Sequence, residues 1–244
     1  MRIFTLFIFL LVAALASGCA QYVTPSGRAN FQAFGTEQIK ESFAAVPAAG
    51  FPAGIAVVRV QDNGYHNYHL DQEGGVYGHG RYSVVLTHEV EDEADVARIA
   101  GLPQVSGLIS LSRLLLPPDL NSDVQLREAA AKLKADLVVI YTFDTSFHKK
   151  DALQALSVVT LGLSPTRTVT AQVTASGLIM DTRTGFIYGA VEASEKRQVL
   201  SNAWISSDSA DEARRAAEKV AFHKLVDEFV KIWPQVVARA KQGQ

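Results

Sequence analysis

The stretch ADLVVIYTF, residues 135–143, decides which fold this chain adopts. From Leu137 to Phe143 nearly every residue is apolar or β-branched, without the alternation of a strand that has one face in water. Such a continuous run is typical of a strand that is buried on both faces. We therefore predict an α/β fold in which a mixed β-sheet carries helices on both faces, in three layers.

The segments on either side of this strand are predicted to supply the helices. Ser122 stands three residues before Gln125, which is the spacing of a capping box at the start of a helix over 123–135. A second helix is predicted over 209–241, and Pro234 indicates a kink or a restart within it. Its apolar residues recur at helical spacing: Ala213, Ala217, Val220, Leu225, Phe229 and Trp233.

A long antiparallel hairpin is predicted at about residues 167–197. One face of its first strand is apolar, and the other carries Gln172 and threonines such as Thr170 and is expected to be open to solvent. The apolar face consists of Val169, Ala171, Val173 and Ala175. The strands are joined by DTRTG, residues 181–185, in which the Asp181 carboxylate can accept hydrogen bonds from nearby backbone amides. Gly185 can take the positive φ of a bulged hairpin loop.

The chain begins with MRIFTLFIFLLVAALASGCAQ, which has the layout of a secretory signal: one positive charge, an apolar run and small residues. The sequence before Cys19 resembles a bacterial lipobox. This resemblance implies that residues 1–18 are removed and that the Cys19 thiol is acylated. Ala20 follows the cysteine in place of aspartate, which implies sorting to the outer membrane. The alternative is an ordinary signal peptide, cut near the same place, that leaves a free thiol.

The remaining chain is predicted to form one domain. Residues 19–35 are rich in turn-forming residues and are interpreted as a flexible, lipid-anchored tether, and residues 36–244 as a single periplasmic α/β domain. Hydrophobic residues make up 48% of the chain, which is enough for one substantial core. The formal net charge of −2 lacks the basic excess of a nucleic-acid-binding protein, so that class is excluded.

Four of the six histidines lie close together in the sequence, which raises the hypothesis of a metal site. The candidate ligands are His66, His69, His79, His88 and Glu89. Zinc requires ligands that converge at about 2 Å, whereas His66 and His69, three residues apart on a strand, would point to opposite faces. We interpret these histidines as solvated loop and strand residues, and we expect no metal and no cofactor.

Several segments carry a resemblance to known envelope proteins. The helix REAAAKLKAD, the strand LVVIYTF and the hairpin MDTRTGFIYG resemble the small α/β domain of the curli secretion lipoprotein, of penicillin-binding-protein activator lipoproteins and of the amino-terminal domain of the Tol propeller protein. The lipobox, SRLLLP, the ADLVVIYT stretch and DTRTGFIYG are similar to the rhombotarget lipoprotein family. That resemblance implies an association with proteins whose C-terminal anchor is processed by a rhomboid-type protease, and it implies no catalytic residue.

These observations predict a non-enzymatic accessory or assembly module at the periplasmic face of the outer membrane. We expect it to bind the membrane through the lipid on Cys19 and to act by contacts with an envelope protein that the sequence does not identify. Two alternatives stay open. One is a metal-dependent hydrolase that uses the region from His66 to Glu89, and the other is a ring-forming secretion subunit in which the hairpin forms the pore wall.

Overall fold

The computed structural model describes residues 27–29, 31, 43–65, 75–151, 167–201 and 206–242. The strands in these ranges are β1 (Ala53–Asp62), β2 (Val76–Tyr77), β3 (Tyr82–Val85), β4 (Val105–Ser110), β5 (Leu137–Asp151), β6 (Arg167–Asp181) and β7 (Ile187–Ser201). The helices are α1 (Glu93–Ala100), α2 (Asp123–Lys132) and α3 (Ser206–Gln242), with a 3-10 turn at Arg113–Leu115.

The seven strands form one mixed sheet in the order β2-β3-β1-β5-β6-β7, and β4 also pairs with β1. Strand β1 is parallel to β4 and β5, whereas the other neighbouring pairs are antiparallel. On one side, β1 has two neighbours in succession, because β4 pairs with residues 53–57 and β3 with residues 59–62. The predicted mixed α/β sheet is confirmed.

Helices cover both faces of the sheet, and the alternating side chains of β5 divide the core between them. Val138 belongs to the buried cluster that contains Leu126 of α2. Val139 belongs to the cluster on the opposite face, with Leu225 of α3 and Ile99 of α1. Val138 is 0% exposed and Val139 is 6% exposed. The predicted burial of this strand on both faces is therefore confirmed, and the three-layer arrangement follows from it.

The hairpin of β6 and β7 extends the sheet beyond the helical layer of α2. Its four predicted apolar residues, Val169, Ala171, Val173 and Ala175, are all buried. The expectation that Thr170 lies on an open face is wrong, because Thr170 is only 6% exposed. In the sheet register it lies between His148 of β5 and Gln198 of β7, whose longer side chains flank the short threonine.

Two elements are longer than their sequence pattern predicted. The apolar run ends at Phe143, but β5 continues to Asp151 because every residue through the end of the strand pairs with β6. Helix α3 runs through Pro234 without a restart. Hydrogen bonds hold α3 to the rest of the domain on both sides of this proline. Trp233 Nε1 donates to the Pro103 carbonyl at 2.8 Å. Arg239 Nη1 donates to the Tyr188 carbonyl at 2.6 Å.

The turn at residues 181–185 is built as its sequence indicates. The Asp181 carboxylate accepts hydrogen bonds from the backbone amides of Arg183 at 2.8 Å and Thr184 at 3.1 Å. Gly185 has φ +75°, a left-handed conformation that glycine adopts without strain. The predicted roles of Asp181 and Gly185 are therefore confirmed.

The same turn also fixes the segment that leads into β1. The second oxygen of Asp181 accepts from the Ala48 amide at 2.7 Å and from the Tyr188 hydroxyl at 2.9 Å. Arg183 Nη2 pairs with Asp136 Oδ1 at 2.8 Å, and Asp136 Oδ2 accepts from the Gly54 amide at 3.0 Å. The two aspartates thus connect the hairpin turn, the start of β5 and the start of β1.

Asp181→Ala is expected to lower the free energy of unfolding by about 2 kcal/mol, because it leaves buried donors without their acceptor. Asp181 is 0% exposed and accepts four hydrogen bonds. Urea unfolding followed by circular dichroism measures the change. Glu128→Ala, at an exposed position on α2, is the control and should change stability little. Equal stability of the two variants would contradict this role of Asp181.

Residues 27–29, which fall within the predicted tether, lie on the sheet. Strands β1 and β5 pair as far as Val58 and Ile140. Beyond this point Arg28 forms a backbone bridge with Gln61, and the Ala29 amide donates to Thr142 Oγ1 at 3.1 Å. Ala29 is buried. The part of the tether that is free of the domain can therefore extend only to residue 26.

Candidate functional site

Charged side chains are buried where β1 faces α3. Arg59 lies on β1, and Arg214 and Glu218 lie one turn apart on α3. Glu218 Oε2 is 2.7 Å from Arg214 Nη1 and 3.5 Å from Arg59 Nη2. All three side chains are at most 1% exposed. Glu218 therefore bridges the two guanidinium groups and joins the helix to the sheet.

The segment before α1 and the first turns of α3 add further carboxylates. Glu89 accepts from Arg214 Nη1 at 3.0 Å and from Nη2 at 3.2 Å, which is a two-bond, charge-assisted contact. Glu91 Oε1 is 3.7 Å from Arg59 Nη1, and Asp211 Oδ1 accepts from Arg214 Nε at 2.9 Å. We call this set the buried ion cluster; it consists of Arg59, Glu89, Glu91, Asp211, Arg214 and Glu218.

The charge state of the cluster follows from its burial and its partners. Burial by itself lowers the pKa of Arg59, but its electrostatic interactions with Tyr65, Glu218 and Glu91 outweigh burial and raise the pKa. Burial likewise lowers the pKa of Arg214, and Glu218, Tyr65 and Glu89 outweigh it. Both arginines therefore keep their positive charge in the core.

Tyr141 and Phe143 form the aromatic side of the site. Burial, followed by the charge of Glu91, raises the pKa of Tyr141 well above its usual range, so this tyrosine stays neutral. Its hydroxyl donates to Glu91 Oε1 at 2.8 Å. The Arg59 guanidinium carbon lies 4.6 Å from the centre of the Phe143 ring, within the range of a cation–π contact.

Two cavities adjoin the buried ion cluster. The first, which we call the apolar cavity, has a volume of about 60 Å³ and lies between the sheet and helices α1 and α3. The second, which we call the polar pocket, has a volume of about 40 Å³ and includes Arg59 in its wall. Four residues line both cavities: Val57, His88, Ser110 and Tyr141. The arrangement can therefore hold a polar group beside Arg59 and an apolar group beneath the helices.

The structure distributes the predicted site residues over different places. Cys19, His66 and His69 lie outside the described residues. His79 is exposed in the β2–β3 turn, whereas His88 is exposed at the edge of the two cavities. Glu89 binds Arg214 in the buried ion cluster. Within the described part of the chain, no three histidine, cysteine or acidic side chains form a metal-binding group. The alternative of a metal site at His66 and His69 stays open, because both residues lie outside the described part of the chain.

Sequence reasoning missed the arginines of the cluster, although two signals were present. Arg59 interrupts an apolar, β-branched strand, GIAVVRVQ, where its neighbours Val58 and Val60 are buried. Arg214 and Glu218 are four residues apart on a helix, which is the spacing of a helical ion pair. Neither signal shows that the three side chains meet, because residues 59 and 214 are brought together only by the tertiary fold.

The solved structures that are similar to this chain include the following two. One is a Xanthomonas campestris protein of the DUF330 family, with a TM-score of 0.36, 10% identity, and coverage of 92% of this chain and 100% of that chain. The other is a hypothetical protein of Chlamydia trachomatis, with a TM-score of 0.29, 13% identity, and coverage of 76% and 98%. No protein-family model matches the chain, and no curated protein matches it. The functional proposals therefore rest on the residues of this chain.

Proposed function

We propose that the protein is an outer-membrane lipoprotein, anchored through Cys19 and facing the periplasm, that acts as a non-enzymatic accessory or assembly module through protein contacts. The position of β7 carries this proposal. This strand has 15 residues and lies at the end of the strand order, with no further partner strand among the described residues. An edge strand of this length offers backbone donors and acceptors to a strand of another protein.

The face of the sheet next to this edge is polar. The exposed polar residues of β5, β6 and β7 that point to the same side as Val138 are Ser146, His148, Gln172, Glu192, Ser194, Lys196 and Gln198, and we call them the hairpin face. They alternate with side chains on the α3 side of the sheet, among them the apolar Val173, Val191 and Ala193. The hairpin face and the outer edge of β7 together form the proposed contact surface.

The N-terminal segment supports a location of this surface near the membrane. Arg28 Nη1 is 3.9 Å from Glu192 Oε2 on the hairpin face. Seven residues separate Cys19 from Gly27. The eight residue-to-residue steps of this segment span at most about 29 Å when the chain is fully extended. A lipid on Cys19 would therefore hold the hairpin face close to the bilayer. None of the helices in the described ranges has the length and apolar character needed to cross a membrane.

The proposal is tested by placing a photo-crosslinking amino acid at Lys196 of the full chain in intact cells. We expect a discrete crosslinked product with an envelope protein. Cys19→Ser should abolish fatty-acid labelling and lower the yield of the product about tenfold, because the anchor raises the effective concentration of the two proteins. The same crosslinker at Glu128, on exposed α2, is the matched control and should give no such product.

Two results would overturn parts of this proposal separately. Unchanged fatty-acid labelling of the Cys19→Ser variant would contradict the proposed lipid anchor on Cys19. A crosslinked product that forms equally well from position 128 and position 196 would contradict the hairpin face as the contact surface, even if the anchor is present.

A further inference from the structure

The polar pocket and the apolar cavity open at the place where β1 changes its neighbour. Strand β4 pairs with β1 through Val57, and strand β3 pairs with it from Arg59 onward. The two neighbouring strands diverge here, and residues of both line the polar pocket, among them Val85 and Ser110. Val57 of β1 and Ser110 of β4 line both cavities, so both cavities border this gap.

Arg59, which lines the polar pocket, has unused hydrogen-bond donors. Its side chain is 1% exposed, and Nη2 donates to the Tyr65 hydroxyl at 3.0 Å. Its Nε and Nη1 atoms are buried and have no hydrogen-bond partner among the described residues. A buried N–H group without an acceptor costs free energy that a bound oxygen atom would recover.

The charges around Arg59 decide which oxygen fits. Glu218 at 3.5 Å and Glu91 at 3.7 Å already balance the guanidinium charge. The buried ion cluster holds four carboxylates and two guanidinium groups, so a ligand carboxylate at the pocket would be repelled. A ligand ammonium group has no acceptor for the N–H donors of Arg59. The donors of Arg59 are therefore matched by an uncharged acceptor, such as an ester carbonyl.

The adjoining apolar cavity fits a hydrocarbon chain. Its walls are aliphatic and aromatic and include Ile99, Leu108, Phe222 and Phe229. A volume of about 60 Å³ holds about four groups of the size of a water molecule, and the exposed Val96 lies in its wall, so the rest of a chain can leave the cavity beside this residue.

We propose that the apolar cavity and the polar pocket together bind a neutral single-chain amphiphile of the monoacyl ester class, with its hydrocarbon beneath α1 and α3 and its carbonyl oxygen at Arg59. This site lies apart from the hairpin face and does not depend on the proposed contact function.

The test uses the full chain in phospholipid vesicles and a 1-monoacylglycerol that carries a diazirine in its acyl chain. After illumination, peptide mass spectrometry should locate adducts on residues that line the apolar cavity. Unlabelled monoacylglycerol should compete about tenfold better than the fatty acid or the alkyltrimethylammonium of equal chain length. Adducts found only outside the apolar cavity would overturn the proposed binding site. Equal competition by the fatty acid would overturn the inference that the head group is neutral.

A cavity-filling variant provides an independent readout. Val96 is 38% exposed on α1, so Val96→Trp places an indole at the cavity with little effect on folding. We expect the adduct yield to fall about tenfold, which corresponds to the loss of contacts with about two methylene groups. Val124→Trp is the matched control, because Val124 is 44% exposed on α2, over the other face of the sheet, and lines neither cavity. An undiminished yield in a folded Val96→Trp variant would overturn the proposal.

Discussion

Val138→Asp and Val139→Asp are each expected to abolish the cooperative thermal unfolding of the domain. The two side chains point to opposite faces of β5, and both are buried, at 0% and 6% exposure. Neither aspartate would have a solvated side or a cationic partner in its own cluster of apolar residues. Burying an unpaired charge costs several kcal/mol, which is comparable to the roughly 5 to 15 kcal/mol that stabilise a whole domain.

Calorimetry or circular dichroism on heating measures this result. Gln172→Asp is the control, because Gln172 is exposed and pairs in the sheet with Lys196, whose charge favours the new carboxylate. This variant should melt as the unmodified protein does. If either valine variant keeps a cooperative transition, one face of β5 is accessible to water and the three-layer arrangement is incorrect.

Arg214→Met is expected to destabilise the domain by about 3 to 5 kcal/mol, because it removes one partner from a buried set of charges. Arg214 is 0% exposed and contacts Glu89, Asp211 and Glu218. Methionine fills much of the same volume but removes the positive charge that balances these carboxylates, and a buried charge without a partner is unfavourable. Urea unfolding monitored by tryptophan fluorescence measures the loss of stability, since Trp233 lies on the same helix as Arg214.

The adjacent arginine offers a closely matched control. Arg215 Nε is 3.0 Å from Asp211 Oδ2, so it pairs with one of the same carboxylates, but its side chain is 44% exposed. Exposed ion pairs contribute at most about 1 kcal/mol, and Arg215→Met should stay within that limit. If the two variants lose the same stability, the burial of Arg214 has no energetic importance and the cluster is not the link between α3 and the sheet.

The sequence predicts the features that depend on local patterns. The continuous apolar run at 137–143 indicates a strand covered on both faces, and the residues of the turn at Asp181 and Gly185 indicate its hydrogen bonds and its positive φ. In each of these cases the residues that determine the structure are neighbours along the chain or alternate along one strand. Periodicity and turn chemistry are therefore sufficient.

Features that depend on distant residues are not predictable in this way. The buried ion cluster joins positions 59, 89, 91, 211, 214 and 218, which only the completed fold brings together. The burial of Thr170 depends on the lengths of the side chains on the two neighbouring strands, and the extension of β5 to Asp151 depends on its pairing with β6. Local composition does not contain these cross-strand relations.

Helix α3 has a consequence for the order in which the protein assembles. It is the last of the described elements along the chain, yet it supplies most of one layer, with Ala217, Leu225 and Trp233 buried against the sheet. While the chain is synthesised from its N-terminal end, the strands are present before the helix that covers them, and the apolar side of β6 is exposed to solvent. Nascent chains that lack α3 are therefore prone to aggregate, and a chaperone that shields exposed strands until the final helix has emerged would raise the yield of folded protein.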